Sequence, residues 1–204
     1  MTTPGVLPES LLHEITSLTD PVDLAALFPE RRPVELELGA GDGSFLLEYA
    51  ARHPEHNFVG IERLFGRLRK IDRKGRRLGL LNIRGIRIEA AYFMRYLLPP
   101  ASIVALHVYF PDPWPKKRHR WRRLVNEEFV RLAWNALQPA GCVHLRTDHA
   151  DYFEQMQTVF AAHPGFEPVP TPPDLLAVQT DFEKEFLAEG RAIHRASYRK
   201  RSTG

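Results

Sequence analysis

Val34-Glu35-Leu36-Glu37-Leu38 runs directly into Gly39-Ala40-Gly41-Asp42-Gly43-Ser44, and Phe45 to Arg52 then reads as a helix closed by His53-Pro54. A strand, a glycine-rich turn and a helix in immediate succession point to an α/β sheet, because glycine permits the tight turn and lets a ligand approach the backbone. The alternation continues. Asn57 to Glu62 predicts a second strand leading into a basic helix, Ile83 to Glu89 a third and Ser102 to Phe110 a fourth. Residues 124–137 predict a helix, Gly141 to Thr147 a fifth strand, and Asp151 to Ala162 another helix. The proline-rich His163 to Asp174 reads as a loop or sheet edge, and Asp181 to Ser197 has helical patterning. Ahead of the first strand, residues 9–18 and 21–28 predict short helices, the second capped by Asp20 before Pro21. The expected organisation is an N-terminal helical segment, 1–33, and a sheet domain, 34–204. Ligands in such a sheet gather at the carboxyl ends of its strands.

Length and composition narrow the class. A chain of 204 residues with 44% hydrophobic content can bury one ordinary core. The single cysteine, Cys142, excludes an internal disulfide and a cysteine-rich zinc site. No apolar run approaches roughly 20 residues, and MTTPGVLPES lacks a basic-then-apolar leader, so the expectation is a cytoplasmic protein with no membrane partner.

The net charge of +3 conceals two concentrations. Residues 116–123 carry six Lys/Arg and no acid, and residues 63–77 carry eight against Asp72 alone, leaving a remainder of 14 basic and 24 acidic residues. In 63–77, Arg63, Arg67, Lys70, Lys74 and Arg77 recur at helical spacing, while Leu64, Leu68, Ile71 and Leu78 predict the core-facing stripe. A basic helix face can simply be solvated. Two such patches in an otherwise acidic chain point to a polyanion, since clustered Lys/Arg neutralise phosphates.

Three acids stand at successive strand ends: Glu37 before the glycine loop, Glu62 ending strand two, and Glu89 ending strand three. A carboxylate at the second position can accept both hydroxyls of a ribose. The loop is not the dinucleotide fingerprint G-x-G-x-x-G, because its third glycine comes one residue early and Ser44 takes the expected place. It resembles instead the S-adenosylmethionine loop of class I methyltransferases.

After strand four comes YFPDPWPKKRHRWRR, Tyr109 to Arg123. Prolines at 111, 113 and 115 fix φ and remove donors, so Asp112 is expected to be held in a loop of few conformations. This stretch resembles the bacterial tRNA (guanine-N7-)-methyltransferase family, as do Glu37 to Gly41, Gly60-Ile61-Glu62, Arg146-Thr147-Asp148 and Thr180-Asp181-Phe182-Glu183. The similarity covers about residues 34 to 195, and PDPWPKKRH is its most specific part.

The resemblance implies a Rossmann-like class I methyltransferase sheet with helices on both faces, an S-adenosylmethionine cofactor and tRNA as partner. It implies methyl transfer to N7 of the variable-loop guanine, position 46 in tRNA convention. Glu37, Gly39, Gly41, Glu62, Glu89 and Asp112 match cofactor-binding positions, with Asp112 also the catalytic one. Lys116, Asp148, Thr180 and Glu183 match substrate positions, and Lys117, Arg118, His119, Arg120, Trp121, Arg122 and Arg123 match the RNA-contacting segment. Three residues depart from the family pattern. Glu89 stands where Asp or Asn is common, Trp121 interrupts the basic run, and Asp181 replaces a residue that is often basic.

Structural roles compete for several of these residues. Thr180-x-x-Glu183 is a capping box as it stands, and Asp148 is a natural N-cap. Trp114 can clamp the loop or stack on guanine, and Trp121 can stack on a base or pack. His107, His119 and His144 match no familiar ligand spacing, so no metal is expected. Nothing in the sequence calls for a partner subunit. A non-catalytic RNA-binding protein on the same fold would explain the basic patches but not the strand-end acids with Asp112. An NAD-dependent oxidoreductase would require the later third glycine.

Overall fold

The structure, a computed structural model, describes residues 7–202. The opening of the expected N-terminal segment, residues 1–6, and residues 203–204 of the sheet domain lie outside the described residues. The chain divides into two compact units, Met1–Pro99 and Pro100–Gly204.

The first unit is built on four parallel strands, β1 (Leu12–His13), β2 (Val34–Leu38), β3 (Asn57–Glu62) and β4 (Ile83–Arg87), in the order β1-β4-β3-β2. Helix α1 (Ser44–Arg52) follows β2, and α2 (Phe65–Arg77) follows β3. After β4 comes the short α3 (Ala90–Tyr92), which continues as a π-helical turn over Phe93–Leu97. Every residue of β2 and β3 is buried, including Glu35, Glu37 and Glu62. Successive side chains of a strand point to opposite faces, so both faces of these strands are covered, as the two-sided α/β pattern requires.

The N-terminal expectation is corrected here. Residues 9–18 are not helical: Leu12–His13 adds a short parallel strand to β4, and Asp72 of α2 accepts the Leu11 amide at 2.7 Å. Leu11 is fully buried against Gly75, where a Cβ would lie 2.6 Å from its Cδ1. The absent side chain of Gly75 is what lets this segment dock on α2. Residues 21–28 hold only a 3-10 helix, Leu24–Leu27, capped by Asp23 and not by Asp20. The core stripe of α2 is also narrower than expected, since Leu68, Ile71 and Gly75 are buried while Leu64 and Leu78 are 48% and 55% exposed.

The second unit holds β5 (Ile103–Tyr109), β6 (Leu137–Thr147), β7 (Phe166–Val169) and β8 (His194–Lys200) in the order β5-β6-β8-β7. The β5/β6 pair is parallel, and β8 runs antiparallel to both β6 and β7. Helix α4 (Glu127–Ala136) leads into β6, and α5 (Ala150–Ala161) follows it. A short α6 (Pro173–Leu176) and α7 (Asp181–Ala188) come between β7 and β8. The expected helix through Ser197 therefore ends at Ala188, and His194 onward is strand. The proline-rich stretch does form a sheet edge, with Pro168 on the terminal strand β7, where a missing amide is tolerated.

Candidate active site

In the first unit, β2, the glycine loop and the end of β3 make one construction. Gly39, Gly41 and Gly43 all have positive φ, at 76°, 56° and 83°, a region other residues rarely enter. The Gly39 and Ala40 amides donate to the Ile61 carbonyl at 2.8 and 2.9 Å, folding the loop onto the end of β3. Glu62 completes it. Its Oε2 accepts the Gly41 amide at 3.1 Å and its Oε1 the Leu64 amide at 2.8 Å, so one buried carboxylate ties the loop to the start of α2. A carboxylate offers about four lone-pair positions, which leaves Glu62 able to accept two further hydroxyls.

Glu37 sits in register with Gly60, two residues before Glu62 on the neighbouring strand. Asp42 of the loop pairs with Lys74 of α2 at 3.0 Å. Burial works against the charge of Asp42, but Lys74, helped by Lys70, outweighs it and holds the carboxyl below its ordinary value. Glu89 lies two residues beyond β4 and caps α3, accepting the Ala91 and Tyr92 amides at 3.0 and 2.7 Å while remaining exposed. Its side chain thus folds back onto its own helix. At Gly39 and Gly41 a Cβ would meet nothing closer than 4.0 Å, so open space lies directly against the loop backbone.

The second unit carries the proline loop between β5 and a 3-10 helix, Lys117–Arg122. Phe110 and Trp114 hold left-handed backbone at φ 52° and 40°, unusual for residues with a side chain. Such strain persists only where the surroundings enforce it. Arg123 does so. Its Nε donates to the Pro113 carbonyl at 2.7 Å, Nη1 to Gln155 at 2.8 Å and Nη2 to Asp151 at 2.5 Å, and the guanidinium lies over the Tyr152 ring at 4.8 Å. Only 1% of Arg123 is exposed, so the place expected for it on the RNA surface is corrected: all its donor groups face inward. Arg120 donates to the other oxygen of Asp151 at 2.6 Å. The Arg123 hydrogen bond, opposed by desolvation and aided by both guanidinium charges, holds the Asp151 carboxyl below its usual range. Burial pushes the Tyr152 phenol well above its ordinary value, and its oxygen accepts the Val125 amide at 2.8 Å.

On the solvent side of this lock, Asp112 is exposed, and among the described residues no hydrogen bond or ion pair engages its carboxylate. Lys116, Lys117 and Arg118 are exposed as well. The Arg122 guanidinium lies between two indoles, 4.8 Å from the Trp114 ring and 5.1 Å from that of Trp121, and Trp121 is 74% exposed. His119 meets the edge of Trp114 at 6.0 Å.

The remaining substrate candidates are drawn into one charged network. Thr180 caps α7, accepting the Glu183 amide at 3.0 Å, but Glu183 does not return the bond of a capping box. Its carboxylate, fully buried, is held by Arg146 at 2.7 Å and by Arg195. Arg146 also donates to the Val178 carbonyl at 2.7 Å and lies 4.2 Å from the Tyr109 ring. Asp148 is half-buried and pairs with Arg191, and the N-cap of α5 is His149, not Asp148. Sequence reasoning passed over Arg191 and Arg195 as members of this network. The only sign of them was an excess of arginine after α7.

Among the described residues no group of three or more His, Cys, Asp or Glu is placed to hold a metal ion. His107 and His144 stack at 5.3 Å, bonded to Tyr109 and Ser197 at 2.9 and 2.8 Å. No helix among the described residues is long and apolar enough to cross a membrane.

Residues 31–196 match a family model described as "Putative methyltransferase". The chain is 37% identical over 188 residues to a tRNA (guanine-N(7)-)-methyltransferase of Syntrophotalea carbinolica, covering 90% of this chain and 81% of that one. It is 40% identical over 184 residues to the Streptomyces coelicolor protein of the same name, covering 88% and 68%. Among solved structures, the 16S rRNA methyltransferase KamB superposes with a TM-score of 0.61 at 16% identity, covering 83% of this chain and 88% of that one. At that identity the likeness shows the fold alone, a Rossmann-like α/β methyltransferase fold.

Proposed function

The chain belongs to the tRNA (guanine-N7-)-methyltransferase family, and from that premise we propose that it methylates N7 of guanine 46 in the tRNA variable loop, using S-adenosylmethionine. The observation that carries this reading is the exposed Asp112 on a strained loop locked from behind by Arg123, with a cationic and aromatic helix immediately after it. The family premise supplies cofactor and substrate class. The first unit fits that cofactor: open space lies against Gly39 and Gly41, and Glu62 retains acceptor capacity beside it.

Glu62 would accept the ribose hydroxyls, with the loop amides and Glu37 close along the chain. Glu89 would serve the adenine end once released from its capping bonds. When bound, S-adenosylmethionine supplies an electrophilic methyl carbon on a sulfonium. Guanine N7 has a free lone pair and no proton, so it would take the methyl group directly, the N–C bond forming as the C–S bond breaks with its pair left on sulfur. No general base is required. Proximity and alignment can lower such a barrier by roughly 7–11 kcal/mol.

The reaction moves positive charge onto the guanine ring. Asp112 would stabilise that charge, and Asp112 or Asp148 could accept from N1–H and the 2-amino group, selecting guanine. Lys116, Thr180 and Glu183 complete the substrate side of the proposal. Glu183 would act there through Arg146 and Arg195, since its own carboxylate is buried between them. Lys117, Arg118, Arg120 and Arg122 would meet phosphates, which position the RNA without reading it. The N7 edge of a paired guanine lies in a deep, narrow A-form groove, which favours an unpaired or opened target.

The proposal has this chain acting in the cytoplasm without a partner subunit. The purified protein, S-adenosylmethionine and a tRNA transcript bearing G46 should therefore yield 7-methylguanine at that position, detected by chemical strand scission. A transcript with A46 should yield none there. Asp112→Ala should lower the single-turnover rate by on the order of 10²-fold while leaving tRNA affinity near wild type. Absence of methylation at G46 by the wild type would overturn the proposal, and an unchanged rate would remove Asp112 from it.

A further inference from the structure

Helix α2 carries a positive charge pattern that nearby acids offset only in part. Its buried residues Leu68, Ile71 and Gly75 define one face. At 3.6 residues per turn, the opposite arc holds Arg69, Lys70, Arg73, Arg76 and Arg77. All five are exposed, as is Arg63 just ahead of the helix. Of the eight Lys/Arg in residues 63–77, Lys74 pairs with Asp42 at 3.0 Å and Arg67 approaches Glu62 at 3.8 Å. The other six form no ion pair among the described residues. Asp72, the only acid of the helix, is turned toward Leu11 and Ser10.

A structural role explains part of this pattern. Cations in a last helical turn are favoured by the backbone dipole, which accounts for Arg76 and Arg77. It does not account for Arg69, Lys70 and Arg73 in the body of the helix. There the pairs Arg69–Arg73, Arg73–Arg77, Lys70–Arg73 and Arg73–Arg76, three or four residues apart, repel one another. Such a stripe is tolerated where an anion of matching extent lies against it. A nucleic-acid backbone presents charge at regular short intervals, and arginine pairs with phosphate through two parallel hydrogen bonds.

We propose that the outer face of α2 is a second RNA-backbone surface, taking phosphates of the tRNA through Arg69, Lys70, Arg73, Arg76 and Arg77, in addition to the run that follows Asp112. The inference rests on the reading that tRNA is the substrate. The exposed ring nearest the stripe, Phe65, lies under the Arg87 guanidinium at 5.4 Å, and the five cations meet phosphates alone, so their contribution is independent of sequence and of the target nucleotide.

The test replaces the five residues with Gln, a good helix former, in the full chain. Affinity for the G46 transcript is measured between about 50 and 200 mM salt, where each phosphate contact contributes about 0.7–0.9 to the log–log slope. The slope should fall by at least about 2 in the variant and by about 1 in Arg69→Gln/Arg73→Gln. The KM for tRNA should rise with little change in kcat, because uniform binding is lost. Affinity for S-adenosylhomocysteine and the urea midpoint should match wild type.

Salt-dependent tRNA binding with the same slope in wild type and variant would overturn this inference alone. A wild type that neither binds nor methylates tRNA would overturn it together with the functional reading. If instead the variant lost binding to phosphatidylglycerol vesicles with the tRNA slope unchanged, the face would belong to a membrane surface and the RNA occupant would be wrong.

Discussion

Arg123 lies ten residues beyond Pro113 and reaches back to donate its Nε–H to the Pro113 carbonyl at 2.7 Å, closing the loop that presents Asp112. The last cation of a conspicuous basic run is therefore a structural strut. Arg123→Ala should destabilise the fold by about 1.5–3 kcal/mol, the scale of lost hydrogen bonds to a charged group. Asp151, still bonded to Arg120, limits the damage. Urea denaturation reports the loss, and the salt dependence of tRNA binding should keep its wild-type slope. A stable variant with a reduced slope would return Arg123 to the RNA surface.

Trp121 gives the opposite expectation. At 74% exposure it contributes little to the core, so Trp121→Ala should change stability by no more than about 0.5 kcal/mol. If its indole stacks on an unpaired base, with Arg122 already held between it and Trp114, tRNA affinity should drop by about 1–3 kcal/mol. Stacking releases no counterions, so the salt slope should stay constant. Trp121→Phe should restore part of the affinity. Unchanged binding in Trp121→Ala would leave the indole without a role in recognition.

Glu62→Ala removes an acceptor from two backbone amides as well as from a ribose. Cofactor affinity should fall by on the order of 1.5–3 kcal/mol, read by calorimetry with S-adenosylhomocysteine. Glu62→Gln keeps one carbonyl acceptor and should fall between wild type and Ala. Wild-type affinity in a folded Ala variant would exclude Glu62 from the cofactor site.

The Arg123 hydrogen bond holds the Asp151 carboxyl below its ordinary value. A carboxyl lowered in the folded state contributes its full stabilisation above the unfolded value, about 3.9, and loses it as pH falls through the folded one. Urea midpoints taken from about pH 7 to about pH 3 should show an acid-side decline that is shallower in Asp151→Asn. Parallel declines in the two proteins would mean that another carboxylate governs acid stability.

Strands β2, β3 and β4 of the first unit were legible because their apolar runs and glycine turns are local signals. So was the strand-to-helix passage that places Glu37, Gly39, Gly41 and Glu62 together. The N-terminal segment was not legible. Leu11 and Leu12 are spaced acceptably for a helix, and only their docking against Gly75 and β4 makes them extended. His194 to Ser197 likewise takes strand form because β6 pairs with all four residues and β7 joins at Ser197. The cations of the RNA run could be counted but not sorted. Arg122 and Arg123 are adjacent in sequence, and what separates them is that Asp151 and Gln155, one turn apart on α5, face the second and not the first. Glu183 shows the same limit, because its capping spacing is real while its carboxylate answers to Arg146 and Arg195 on strands distant in sequence.

The place of β8 between β6 and β7 imposes an order on synthesis. Both neighbours leave the ribosome first, so β6 keeps an unpaired edge, and β7 has nothing to join, until His194–Lys200 emerges. At about 5–20 residues per second, the interval from the end of β6 to the end of β8 is roughly 3–10 s. During that time the open edge is available to other strands, including those of neighbouring nascent chains. Arg195 arrives on the same late strand, so Glu183 of α7 waits for its second guanidinium until that strand is in place. A chain stopped just short of residue 194 would carry every residue proposed here to touch cofactor or guanine and still lack the strand that joins β7 to β6.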